Sequence, residues 1–200
     1  MKKLYGVITA MTTPFTEDGK VDLEAMAKQA EFLIGKGVNC LYPCGTTGEM
    51  YLMSEEERKQ IAETVVKTAA GRVTTFIHCG AMHEDEVVRL CLHAHEIGAD
   101  GVGIVTPNYF TVDNRAMVEY YRRICAQLPK GFPVYVYVIP QLAHNDVTAR
   151  PCRRSPMRAR TMSSASSTPS RICAASSSTA RSTTASSPSS SDRTICSSRR

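Results

Sequence analysis

Apolar residues over the first 150 positions fall into two alternating patterns. Short, nearly continuous apolar runs at 6–9, 38–43, 73–79, 101–105 and 133–137 predict strands covered on both faces, as in a parallel sheet. Between them the period changes to 3.6. Leu23, Met26, Ala27, Ala30, Leu33 and Ile34 line one face of a predicted helix, capped by Asp22 and ended by Gly35-Lys36-Gly37. Ser54 with Glu57 forms a capping box for a second helix, running to about Ala70 and closed by Gly71. Two more helices are predicted over 83–97, stopped by Gly98, and over 113–128. The strand starts recur about every 32 residues, the length of one unit in an eight-unit barrel of about 250 residues. The expected class is therefore α/β, a (β/α)₈ barrel represented by about its first five units. A doubly wound open sheet shows the same alternation, but no GxGxxG follows the first strand, which weighs against a dinucleotide fold.

The pattern stops near Arg150, so the expected division is a partial barrel over 1–149 and a tail over 150–200. Residues 151–200 hold 17 Ser, 9 Arg, 6 Ala, 6 Thr and 4 Pro, and no Leu, Val, Phe, Tyr, Gly, Glu or Lys. Such a composition cannot bury enough apolar surface to fold, and disorder is expected there. The tail carries a charge of +8, against +5 for the whole chain, so the first 150 residues are mildly acidic. The basic balance thus says nothing about nucleic acid binding by the folded part.

Cys40, Cys44, Cys79, Cys91 and Cys125 sit in apolar runs or helices without CxxC spacing, and read as reduced, buried thiols. The opening Met1-Lys2-Lys3 and Leu4-Tyr5-Gly6-Val7-Ile8 mimic a leader faintly, but no small-residue cleavage site follows, and a first strand is the better reading. No apolar stretch has the length of a membrane span. A cytoplasmic protein is expected.

The chemistry is concentrated after the second strand, where Cys44-Gly45-Thr46-Thr47-Gly48-Glu49 offers hydroxyls and a flexible backbone in a strand-to-helix loop. In α/β barrels such loops form the catalytic face. Four motifs stand in order: Gly6-Val7-Ile8-Thr9-Ala10 with Thr13-Pro14-Phe15; Gly45-Thr46-Thr47-Gly48-Glu49; Val105-Thr106-Pro107 with Tyr109; and Tyr137-Val138-Ile139-Pro140. Together they resemble the dihydrodipicolinate synthase / N-acetylneuraminate lyase family over residues 1 to about 148. The resemblance implies a (β/α)₈ barrel, usually a homotetramer built from tight dimers. It implies a carbon–carbon or carbon–oxygen lyase without a cofactor or metal, acting through a Schiff base between a lysine and pyruvate or another 2-oxo acid.

By position, the resemblance implies that Thr46 and Thr47 offer N–H groups to the substrate carboxylate. Tyr137 would give and take the proton at the carbon centre, the Thr46 hydroxyl would relay it, and Tyr109 would complete the relay in a neighbouring subunit. The residue types suit these tasks. Paired N–H groups in a small-residue turn hold a carboxylate, and hydrogen-bonded phenols pass a proton without leaving a free charge. Each residue also has a plainer reading: Tyr137 as a packed aromatic, Tyr109 as a loop tyrosine, the threonines as turn caps. Glu49 reads as a structural loop residue. His78 reads as either pocket-lining or a satisfied near-core histidine, and His93 and His95 face different ways on one helix.

Two departures and one gap bear on function. Leu142 stands where lysine-pathway synthases usually carry an arginine, and Val138 where an asparagine often follows the tyrosine; the first points towards a sugar-acid lyase or another 2-oxo acid aldolase. The Schiff-base lysine is due on a sixth strand near residue 165, at about 32 residues per unit. The chain there reads Ser164-Ala165-Ser166-Ser167, with neither a strand pattern nor a lysine. An out-of-frame reading beginning near Ala149–Arg150 accounts for a tail rich in arginine and serine yet free of lysine. The chain as it stands is expected to be inactive. The alternatives are a non-catalytic 2-oxo acid binder and a Ser/Arg arm for nucleic acid. Nucleic acid and membrane are not expected partners.

Overall fold

The computed structural model describes residues 5–147, and the backbone of 160–163 and 171–175. Five parallel strands form its centre: β1 (Ile8–Ala10), β2 (Cys40–Tyr42), β3 (Thr74–His78), β4 (Gly101–Val105) and β5 (Val134–Val138). They lie side by side in chain order. Helices α1 (Leu23–Gly35), α2 (Glu55–Ala69), α3 (Glu84–Glu96) and α4 (Asn114–Gln127) make the crossovers, and a short α5 (Pro140–Ala143) follows β5. A doubly wound sheet would reverse its strand order at a switch point. The unbroken order is that of a barrel wall.

The predicted caps are formed. The Asp22 carboxylate accepts from the Ala25 N–H at 2.8 Å, and that of Asp113 from Ala116 at 2.7 Å. The Ser54–Glu57 box is closed from both sides. The strands are mostly shorter than the apolar runs, because residues such as Pro43 turn the chain into the loops and cannot donate to a ladder.

Alternation along each strand separates two cores. Outward residues of β4 and β5, including Val102, Ile104, Val134 and Val136, pack beneath α3 and α4 against Leu90, Met117 and Ile124. Each such side chain contributes roughly 1.5–3 kcal/mol by leaving water. Inward residues form a second cluster of Ile8, Cys40, Tyr42, Phe76 and Tyr135. Neighbouring helices are tied outside the wall by Arg89–Glu55 and Arg123–Glu84, each at 2.7 Å. Exposed pairs like these are worth about 0–1 kcal/mol apiece and set spacing more than stability.

Two short stretches of the tail join the sheet. β6 (Arg160–Ser163) and β7 (Arg171–Ala175) are strands, and β7 pairs antiparallel with β5 while β6 pairs antiparallel with β7. The far edge of β5 is therefore paired. An edge strand presents unpaired N–H and C=O groups that accept any extended backbone, whatever its side chains, so composition did not reveal the pairing. The expected disorder over the other tail residues lies outside the described residues.

Candidate functional site

At the C-terminal ends of the strands, the chain leaves β2 through a turn under close steric control. Cys44 and Glu49 both adopt left-handed backbone, each at φ 59°. Gly48 is required by crowding: a Cβ there would lie 3.0 Å from the Met11 carbonyl and 3.3 Å from the Thr13 hydroxyl. Thr13 donates to the Gly48 carbonyl at 2.8 Å. The turn closes through Gly48 N–H to Gly45 C=O at 3.0 Å and Glu49 N–H to Thr46 C=O at 3.1 Å. Among the described residues, the N–H groups of Thr46 and Thr47 donate to no backbone carbonyl. Thr46 is half-buried and Thr47 exposed.

Tyr137 comes to this turn from the inner face of β5. Its hydroxyl lies 3.4 Å from Thr46 Oγ1, the long end of hydrogen-bonding range, across 91 residues of sequence. Beside the turn is a cavity of about 300 Å³, lined by Thr46, Glu49, Tyr51, Asn108, Val105 and Leu142 among others. Leu142 gives its mouth an apolar side chain. Val138, by contrast, is buried in the outer core and faces away from the cavity.

Tyr109 is not part of this cluster. It is 74 % exposed, edge-on to Phe110, and contacts neither Thr46 nor Tyr137 among the described residues. Its φ of 70° is uncommon for a tyrosine and carries a cost of about 1–3 kcal/mol that the surroundings must hold in place. Asn145 supplies the restraint. Buried to 3 % exposure, it donates through Nδ2 to the carbonyls of Pro107 and Phe110 at 2.7 and 2.8 Å, and its Oδ1 accepts from the Val112 N–H at 2.9 Å. Sequence reasoning missed Asn145, along with the Tyr51 hydroxyl that accepts from Asn108. Single polar residues in loops give no periodic signal.

Behind Tyr137 the inner wall is aromatic. The rings of Tyr42, His78 and Tyr137 stand mutually edge-on, with centroids 5.9–6.3 Å apart. His78 is fully buried, and neither ring nitrogen has a hydrogen-bond partner among the described residues. It is thus neither satisfied nor on the cavity surface. Burial, aided by the Arg58 guanidinium, pushes its pKa down to about 3, while the Cys44 carbonyl acts weakly the other way. Arg58, itself buried, donates to the His78 carbonyl at 3.0 Å.

A depressed histidine pKa means that the unfolded chain binds the extra proton first. Stability should therefore be full above pH 6.5 and fall as the pH drops towards 3, by up to about 1.4 kcal/mol per unit. Glu55, held near 2 by Arg89 and Lys59, adds its own loss only below the ordinary carboxylate range. Urea midpoints at pH 7, 6 and 5 should decline, and His78→Gln should flatten that segment. A flat wild-type profile would contradict the buried neutral ring.

The remaining candidates lie elsewhere. His93 meets Glu63 at 2.9 Å, and His95 packs edge-on to Phe132. Among the described residues Cys40, Cys44, Cys79, Cys91 and Cys125 are free thiols, all but Cys125 buried, with Cys40 and Cys44 pushed up to about 12 by burial. No three His, Cys, Asp or Glu among the described residues are grouped to hold a metal. No helix of the described residues is long and apolar enough to cross a membrane. Lys20, Lys28, Lys36, Lys59, Lys67 and Lys130 occupy turns and outer helix positions, none on the inner wall.

Residues 3–154 match the model of the Dihydrodipicolinate synthetase family. An N-acetylneuraminate lyase of Citrobacter koseri is 37% identical over 142 residues, which are 71% of this chain and 48% of that protein. A 4-hydroxy-tetrahydrodipicolinate synthase of Agrobacterium fabrum is 37% identical over 135 residues, 68% of this chain and 45% of its own length. Among solved structures, the dihydrodipicolinate synthase of Acinetobacter baumannii complexed with pyruvate is similar with a TM-score of 0.71 at 30% identity, over 74% of this chain and 50% of that one. The chain spans about half the length of the curated relatives it matches.

Proposed function

The chain belongs to the dihydrodipicolinate synthetase family, and on that premise we propose that its described wall is the 2-oxo acid half of a Schiff-base aldolase or lyase site. One observation carries the reading. Thr46 and Tyr137, far apart in sequence, meet at 3.4 Å beside two backbone N–H groups that make no backbone bond. In the proposal those N–H groups of Thr46 and Thr47 hold the carboxylate of pyruvate or another 2-oxo acid. The Tyr137 phenol gives and takes the proton at the reacting carbon, and the Thr46 hydroxyl passes it on. Tyr109, strained and exposed, extends from the subunit to complete the relay in a neighbouring copy of a homotetramer. The apolar Leu142 at the cavity mouth favours a sugar-acid or related aldehyde partner over one anchored by a second carboxylate.

The residues of this chain bind and move protons, while the amine that would form the imine has no counterpart on the inner wall among the described residues. The second reading follows from that observation: in its present form the chain is a 2-oxo acid binder without turnover. We propose further that 150–200 is an out-of-frame segment rather than a nucleic-acid-binding arm; support comes from its composition and from the family match ending at residue 154. A cytoplasmic location fits both readings.

Titration of the full chain with pyruvate, followed by amide nuclear magnetic resonance, tests the binding reading. The Thr46 and Thr47 amides should shift in a saturable way, and Thr46→Val, which keeps both N–H groups, should leave that saturable shift in place. Unmoved amides in a folded sample would remove the carboxylate site.

A further inference from the structure

Tyr42 and His78 carry polar atoms that the fold has buried and not satisfied. The Tyr42 hydroxyl and both His78 nitrogens have no hydrogen-bond partner among the described residues, although Tyr42 is 7 % and His78 1 % exposed. Buried polar groups left unpaired are rare, because folding removes their water without replacing its hydrogen bonds. The surrounding backbone has been cleared for them. A Cβ at Gly103 would fall 2.0 Å from the Tyr42 hydroxyl, and one at Gly80 would fall 2.7 Å from His78 Cε1. Both rings stand within 6.3 Å of the Tyr137 ring, centroid to centroid.

We propose that Tyr42 and His78 are positioning residues for Tyr137, acting through one internal water seated between the three rings. An internal water needs two to four polar partners. Neutral His78 offers a donor and an acceptor, and the Tyr42 hydroxyl offers either. The Tyr137 hydroxyl keeps capacity beyond its contact with Thr46. The water fixes the orientation of the Tyr137 phenol. One charged group bounds the site among the described residues: Arg58, which donates to the His78 carbonyl and is itself paired with Glu86 at 3.7 Å. The task assigned to Tyr137 rests on the 2-oxo acid reading; the water seat does not.

The test uses the full chain with ¹⁵N-labelled histidine. In the wild type, His78 should show a single neutral tautomer with cross-relaxation to a long-lived water. Tyr42→Phe should move the His78 nitrogen signals and abolish that cross-relaxation, leaving His93 and His95 unmoved. Pyruvate affinity should fall ~3–10-fold in Tyr42→Phe and in His78→Phe, the worth of one neutral hydrogen bond, and His78→Gln should restore it. If His78→Phe fails to fold, Tyr42→Phe decides alone. His78 signals indifferent to Tyr42→Phe, or a His78 ring that meets pyruvate directly without water, would overturn the proposal. Should wild-type pyruvate binding be absent while the His78–Tyr42–water coupling is present, the 2-oxo acid reading fails and the water seat survives.

Discussion

Replacing Gly103 by alanine should destabilise this protein strongly. The new Cβ would lie 2.0 Å from the Tyr42 hydroxyl and 2.7 Å from its Cζ, and the ring has nowhere to go. Tyr42 is packed in a cluster with Phe76 and Tyr135 and stands edge-on to His78 and Tyr137. Overpacking a tight core costs about 1–3 kcal/mol, occasionally more, out of a total stability of roughly 5–15 kcal/mol. For a chain of this size, melting should fall by about 2–4 °C per kcal/mol. Gly35 is the control. It lies in α1 with nothing within 4 Å of a built Cβ, so Gly35→Ala should be neutral or stabilising by about 0.5–1 kcal/mol. Tyr42→Phe added to Gly103→Ala should recover part of the loss, since the hydroxyl is the nearest clash. A Gly103→Ala protein that melts with the wild type would show that β4 does not carry Tyr42 in this way.

The second large effect is all-or-none. Incubated with pyruvate and borohydride, the chain as it stands should gain no mass, because trapping an imine requires an amine at the reacting carbon and the described residues place none on the inner wall. Restoring the reading frame near codon 149 should supply a strand ending in lysine near residue 165, and the same treatment should then add one reduced adduct at that lysine. In the restored protein, Tyr137→Phe should slow turnover by ~10²–10⁴-fold, the range for losing a positioned acid–base group. An adduct on the unaltered chain, or no lysine near residue 165 in either other frame, would remove the support for both the Schiff-base chemistry and the frame slip.

The wall was legible because its signals are repeated. Five apolar runs, three caps and a regular spacing each restate one architecture, and errors of one or two residues at strand ends do not change it. The Thr46–Tyr137 encounter was legible only through resemblance, since nothing local in Tyr137-Val138-Ile139-Pro140 distinguishes a reacting phenol from a packed one. What escaped sequence reading shares a physical cause. Tyr42 matters through an inward register that brings it over Gly103 of another strand, and register between strands is a property of pairing, invisible in either strand alone. The pairing of β6 and β7 at the sheet edge escaped because backbone pairing at an edge carries little side-chain signature. Asn145 escaped because its partners lie 33–38 residues away in another loop.

That asparagine has a consequence for any encounter at the exposed Tyr109–Phe110 pair. Ordering a residue costs about 1–2 kcal/mol of backbone entropy, and a binding loop that orders only on contact adds this to the cost of association. Here the ordering is met within the subunit, as Asn145 fixes Pro107, Phe110 and Val112 to the segment following β5. Two aromatic side chains are thus presented on a preorganised platform, and whatever docks against them meets a surface already shaped, with its affinity undiminished by folding of the loop.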